Sequence, residues 1–164
     1  MVQHANRPAR GNHAEGWQRA SAAMAKHIRT TLKGVEREVA NRAYRASNYL
    51  RNASLLVLRG QRNGIRYRIP HTRVEYQASS PGESPANRTG IFRLSWGTQV
   101  RVEKQGNKFR CVSSIESNLR VGKWLLGELL EDGTRHMAPR PYKQAVRDRA
   151  MPQIQALYKK SYKS

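Results

Sequence analysis

Residues 50–70 read LRNASLLVLRGQRNGIRYRIP, and within them the chain changes its period. Upstream, Val35, Val39, Ala43, Ala46, Leu50, Ala53 and Val57 recur at spacings of three or four, as one buried face of a helix does. Downstream of Gly60, Ile65, Tyr67 and Ile69 alternate with Arg66 and Arg68, the period of a half-buried strand. Alternation sends Tyr67 and its flanking arginines to opposite faces, which predicts Tyr67 in the core. A long helix followed by short strands predicts an α+β domain, with helices packed on a small, mainly antiparallel sheet.

Working towards the N-terminus, Trp17, Ala20, Met24, Ile28 and Leu32 form a second amphipathic stripe, separated from the first by Gly34. Asn12 and Glu15 have the spacing of a capping box, and residues 1–11, with Pro8 and Gly11, read as a flexible basic arm. Working towards the C-terminus, Val74 and Tyr76 predict another extended piece. Val100 and Val102 lead through Gln105-Gly106-Asn107 to Phe109, Cys111 and Val112, which predicts a hairpin. Leu119 to Leu130 predicts a strand edge running into a short helix that stops at Asp132-Gly133. Residues 141–162 predict a closing helix, with Pro141 near its first turn, Pro152 kinking or splitting it, and Ala145, Ile154, Leu157 and Tyr158 on one side. The domain is thus expected over 12–164, with a helical part at 12–60, sheet and loop at 61–140 and the last helix at 141–162.

Charge narrows the function. Thirty-one Lys and Arg against eleven Asp and Glu leave a net charge of +20 in 164 residues. The excess is spread out: residues 1–60 hold 11 basic and 3 acidic side chains, 61–140 hold 14 and 7, and 141–164 hold 6 and 1. Such a chain is suited to a polyanion or an acidic protein surface. No apolar run approaches the roughly 20 residues that span a bilayer, so no membrane partner is expected. The N-terminus lacks the apolar segment of a secretory signal, and the single Cys111 cannot form an intramolecular disulfide.

Catalytic patterns are absent. His4, His13, His27, His71 and His136 are scattered without metal-ligand spacing, and no nucleophile elbow or phosphate-binding glycine loop occurs. Glu128, Glu131 and Asp132 cluster, but no base or metal partner accompanies them, so a nuclease reading is disfavoured. Neither a catalytic residue nor a cofactor is expected. Arg66, Arg68, Arg73 and Arg101 are the candidate contacts to DNA or an acidic partner, by sequence-independent attraction to phosphate.

Two further stretches belong together. Residues 79–90, SSPGESPANRTG, are all turn chemistry and are followed at once by an apolar segment. Residues 130–142 read LEDGTRHMAPRPY. The pair, an A-S-x-P-G-E-x-P-A-x-x-T-G block and then L-E-x-G-T-x-x-M-A-x-R-P-Y, resembles the small head–tail joining proteins of tailed bacteriophages, also called neck, minor tail or tail-completion proteins. The matching positions include Pro81, Gly82, Glu83, Pro85, Thr89 and Gly90 in the first block. In the second they include Glu131, Gly133, Thr134, Met137, Arg140 and Pro141. The resemblance covers roughly residues 35–160; residues 1–34 have no counterpart in it.

The resemblance implies a non-enzymatic virion protein, made in the bacterial cytoplasm. It would assemble as a ring, six-fold or alternatively twelve-fold, at the head–tail junction. Its partners would be itself, the neighbouring neck and tail proteins, and genomic DNA passing through the channel. On this reading the proline-rich loop, Pro81 to Thr89, reaches out of its own domain onto a neighbouring subunit. The competing expectation is a basic RNA-binding protein of a ribonucleoprotein particle, which charge and size suit equally well.

Overall fold

The computed structural model describes residues 13–106 and 108–162. The expected arm at 1–11 and Asn12 of the capping box lie outside them, as does Asn107 of the hairpin turn. The chain has the α+β class: a long N-terminal helix, a C-terminal helix and small antiparallel sheets. It divides into two units, residues 13–38 with Tyr162, and residues 39–161.

Helix α1 spans His13–Val57. Gly34 does not break it; a lone glycine costs a helix about 1 kcal/mol against alanine, too little to stop one this long. Its stripe in the second unit is as the periodicity predicts. Ala43, Ala46 and Ala53 are buried, together with Ser47, Ser54 and the following Leu58, while Leu50 and Val57 are half-buried. The two buried serines donate to the carbonyls of Tyr44 and Arg51, both at 2.8 Å, so neither hydroxyl is left unpaired.

Helix α4, Lys143–Tyr158, packs against this face through Val146 and Ala150 beside Ala53 and Leu58. Arg42, only 4% exposed, donates to the carbonyls of Lys160 (2.5 Å) and Ser161 (2.6 Å) just past the end of α4. The helices therefore run antiparallel. Two expectations for α4 are corrected in part. Pro152 lies inside one continuous helix without splitting it. Of the four side chains expected on one side, Leu157 is buried and Ile154 half-buried, whereas Ala145 and Tyr158 are exposed, and Val146 and Ala150 complete the inward face.

The strands form three separate two-stranded ribbons rather than one sheet. Arg66–Arg68 (β1) pairs with Glu75–Gln77 (β2), Gly97–Gln105 (β3) with Lys108–Glu116 (β4), and Arg120–Val121 (β5) with Trp124–Leu125 (β6), all antiparallel. The predicted hairpin at 97–116 and the strand-to-helix passage into α3, Leu126–Asp132, are both present. Between β2 and β3, Ile91–Leu94 form the single turn α2.

Tyr67 is not in the core. It is 48% exposed, and Ile65 is 70% exposed, because no described element covers their side of the β1–β2 ribbon. The alternation holds, since Tyr67 and Tyr76 are paired in register and stack at 6.0 Å while Arg66 and Arg68 take the other face, but the ribbon is not half-buried. Where apolar side chains do concentrate is at the junction of α1, α2 and α4. There Phe92, Trp96 and Tyr142 meet edge to face at 5.6–5.8 Å, and Arg51 Nε donates to the Trp96 carbonyl at 2.9 Å.

Candidate functional site

The two blocks of the resemblance fold into one unit. Arg140 donates through one guanidinium nitrogen to the Ser79 carbonyl at 2.6 Å and also to the Ser79 hydroxyl. The Gly82 N–H donates to the Pro139 carbonyl at 3.1 Å, and the Ser84 hydroxyl to the Pro141 carbonyl at 2.9 Å. Residues 79–84 are thereby tied to 139–141.

A second set of bonds ties the loop to the end of α1. Arg62 reaches the last carbonyl of α1, that of Val57, at 2.8 Å, and donates twice to the Pro85 carbonyl, at 3.0 and 3.2 Å. A cation at a helix C-terminus is favoured by the exposed carbonyls there. Burial lowers the guanidinium's affinity for its proton, and the nearby Glu83 carboxylate partly restores it. Glu83 itself accepts from the Ser80 N–H (2.8 Å), the Asn63 N–H (3.1 Å) and Asn63 Nδ2 (2.6 Å). These donors, Ser80 first, hold its carboxyl below the usual carboxylate range.

The second block has its own closure. Thr134 and Met137 exchange backbone hydrogen bonds at 2.8 and 3.3 Å across a tight turn, and the Arg140 N–H donates to the Leu130 carbonyl at 2.7 Å. Gly133 enters this turn at φ 78°, where a Cβ would lie 2.8 Å from both the Met137 oxygen and the Pro139 nitrogen. Glu131 accepts from the N–H groups of Tyr142 (3.0 Å) and Lys143 (3.2 Å), and so caps α4 from outside the helix. That gives Glu131 a structural use in place of the disfavoured metal or acid–base role. Tyr142 is buried with its hydroxyl donating to the Gly127 carbonyl at 3.2 Å; burial, then the charges of Glu131, Asp132 and Glu128, raise its pKa.

Proline and glycine therefore do not make residues 81–89 a projecting arm. Pro85 is buried, and only Pro81, Gly82 and Asn87 to Thr89 are exposed. The expectation of a loop reaching out of its own domain is corrected, because side-chain anchors on both flanks hold it down.

Beside the loop lies a cleft of about 530 Å³, bounded by both blocks. Its walls are largely apolar, with Tyr76, Pro85, Phe92, Leu126, Leu130 and Met137 among them. Arg88, Arg93, Arg120 and Arg140 also line it, and among the described residues no carboxylate does. Arg88 lies 5.8 Å from the Tyr76 ring centre, and the buried Nε of Arg93 has no hydrogen-bond partner among the described residues. Of the matched positions, Pro85, Thr89, Gly90, Met137 and Arg140 border this cleft; Glu83, Glu131 and Gly133 act by fixing the chain around it.

The four arginines named as nucleic-acid contacts are not brought into this site. Arg66, Arg68 and Arg73 belong to the β1–β2 ribbon and its turn, and Arg101 to β3. All four are exposed; Arg68 is 3.9 Å from Glu75 and Arg101 3.9 Å from Glu116. Sequence reasoning missed Arg62 and Asn63, whose only signal is a position just past the helix end, and Phe92, Trp96 and Arg93, whose segment is too short for periodicity. Cys111 is half-buried in β4 and its thiol pKa is raised by burial, which disfavours a nucleophilic thiolate.

Among the described residues no group of three or more His, Cys, Asp and Glu could hold a metal ion. No helix among them is long and apolar enough to cross a membrane. No known family, no curated protein and no solved structure matches the chain.

Proposed function

We propose that this protein is a structural component of the neck of a tailed bacteriophage, a ring-forming subunit at the head–tail junction through which the genome passes. One observation carries the reading: the two separated blocks on which the resemblance rests are bonded to each other, Ser79 to Arg140, Gly82 to Pro139 and Ser84 to Pro141. A motif whose halves form one unit is a more specific resemblance than two stretches of turn residues. The arginine-lined apolar cleft beside the unit suits an acidic, apolar segment of a neighbouring subunit, and the dispersed positive surface suits DNA of any sequence.

Electron microscopy of lysates from a phage with this gene disrupted tests the proposal. Separate heads and tails are expected; normal infectious virions would overturn it. A second reading, an RNA-binding subunit, is favoured by the exposed Tyr67–Tyr76 stack on a ribbon that also carries Arg66 and Arg68. Crosslinking of Tyr67 to RNA in cells, with assembly of virions unaffected by loss of the gene, is the outcome that reading requires.

A further inference from the structure

Four arginines converge on the cleft beside the loop, each from a different part of the chain. Arg88 comes from the loop, Arg93 from α2, Arg120 from β5 and Arg140 from the second block. Among the described residues none of the four is paired with Asp or Glu, and no carboxylate lines the cleft. Elsewhere exposed arginines do find acids: Arg68 lies 3.9 Å from Glu75, Arg101 3.9 Å from Glu116 and Arg110 3.7 Å from Glu103. The buried Nε of Arg93 also lacks an acceptor among the described residues. Burying a donor without an acceptor costs stability, and a carboxylate brought beside that guanidinium offsets the cost.

Between the arginines the walls are largely aliphatic, formed by Leu58, Pro85, Leu119, Leu126, Leu130 and Met137. The volume of about 530 Å³ lies within the roughly 300–1,000 Å³ of sites that engulf a ligand, so the cleft takes more than one side chain.

We infer that the cleft seats a short segment of a different protein, one in which Asp or Glu flanks Leu, Ile or Phe. Two complementarities specify that occupant. Guanidinium forks match carboxylates, and aliphatic walls match an aliphatic or aromatic side chain. Four cations from four parts of the chain call for several carboxylates, which an acidic segment carries and a small monocarboxylic acid does not. A single-stranded nucleic acid would bring charge, but it binds by stacking its bases on open aromatic faces. The two rings that line the cleft are already engaged. Tyr76 stacks on Tyr67 and lies under Arg88, and Phe92 meets Trp96 and Tyr142 edge to face. A second copy of the chain is a poor match, since two molecules at +20 repel. Its densest acidic apolar stretch, Glu128 to Asp132, also belongs to α3, whose Leu126 and Leu130 wall the cleft and whose Glu131 caps α4. The inference rests on the proposed function only in placing this segment on another neck or tail protein.

The test is fluorescence anisotropy of the full-length protein with a short labelled peptide in which Glu and Asp alternate with Leu and Phe. Binding is expected. It should fall at least tenfold when Gln and Asn replace the acids, or when Ser replaces the apolar residues. Arg88→Gln with Arg93→Gln should weaken binding about tenfold or more, as loss of charge-assisted bonds does. Val121→Glu, at an exposed position of the rim, adds a carboxylate to the cleft wall and should do the same. Arg147→Gln with Arg149→Gln removes equal charge from exposed positions of α4 outside the cleft, and should leave affinity unchanged. Thermal midpoints report folding, and Val121→Glu carries the test if Arg93 proves structural. No binding of the acidic apolar peptide would overturn the inference. So would an equal loss in the α4 pair, which marks attraction to net charge alone. Displacement of the peptide by an oligothymidylate whose own affinity falls with the cleft variants would overturn it too. None of these outcomes bears on the lysate micrographs, so the cleft assignment can fail while the neck reading stands.

Discussion

Arg140 and Ser79, 61 positions apart, are joined by a guanidinium nitrogen that serves both the carbonyl and the hydroxyl of the serine. Ser79 is only 4% exposed, so water cannot replace the arginine at its carbonyl. Arg140→Ala is expected to destabilise the fold by about 2–3 kcal/mol, the range for charge-assisted bonds to a buried group. Ser79→Ala removes only the hydroxyl and should cost about 1 kcal/mol. Urea unfolding of both single variants and the double variant checks this. Fully additive costs would mean that the Ser79 hydroxyl is not coupled to Arg140, leaving the carbonyl bond alone to join the two blocks.

Glu83 fastens the other flank of the loop by accepting the Ser80 and Asn63 N–H groups. Those N–H groups bond more strongly to the charged carboxylate than to the neutral acid, so its folded-state pKa lies below the ordinary value of 4.5. A group depressed in this way contributes its stability in full above the unfolded value, and the contribution is lost as pH falls through the folded one. The thermal midpoint of wild type should therefore drop more steeply below pH 4.5 than that of Glu83→Gln, with the gap between them closing in acid. A gap that stays constant from pH 6 to 3 would contradict the assignment.

Tyr142 behaves in the opposite sense. Burial and then the charges of Glu131, Asp132 and Glu128 raise its pKa above the ordinary 10.0. The neutral hydroxyl is the folded form, so its contribution is complete below pH 10 and is lost as pH rises beyond it. Tyr142→Phe should cost about 1 kcal/mol at neutral pH through the lost bond to Gly127, and should show a shallower decline of stability between pH 10 and 11.5. Equal alkaline slopes in the two proteins would count against it.

The helices and the main hairpin were legible because their signals are periodic over many residues: Ala43, Ala46 and Ala53 on one helix, and in the hairpin Val100 and Val102 opposite Ser113 and Cys111. The burial of Tyr67 was misread because alternation reports which side chains share a face and says nothing about whether a second layer exists to cover it. Ala145 was misplaced for a different reason. Pro152 obscures the helical period, and the inward register is set by Tyr142 docking against Phe92 and Trp96, a contact between segments 46 to 50 residues apart. The loop at 79–90 was legible as turns and as half of a motif. Its attachment was not, since Arg62 and Asn63 bond to it from outside with no local pattern to mark them, and the second block marks Arg140 without marking Ser79 as its partner.

Two glycines separate conformational need from mere occurrence. Gly133 sits at φ 78° and ψ −173°, a region open essentially to glycine alone, and a Cβ there would lie 2.8 Å from backbone atoms of Met137 and Pro139. Neither neighbour is a side-chain tip that could swing aside. Gly133→Ala should therefore cost about 1–3 kcal/mol from the backbone alone, with the steric overlap adding to it, and should loosen the Thr134–Met137 turn. Gly34 is the reverse case: it is helical, and a Cβ would meet nothing within 4 Å. Gly34→Ala should stabilise α1 locally by about 1 kcal/mol, because alanine has less backbone freedom to lose. Hydrogen exchange reads both at once: faster exchange at the Thr134 and Arg140 amides in the first variant, and slower exchange across residues 28–38 in the second. Gly133→Ala with unchanged exchange would mean that the turn accommodates a side chain, and the close approach of Pro139 would then not be what fixes Arg140 against Ser79.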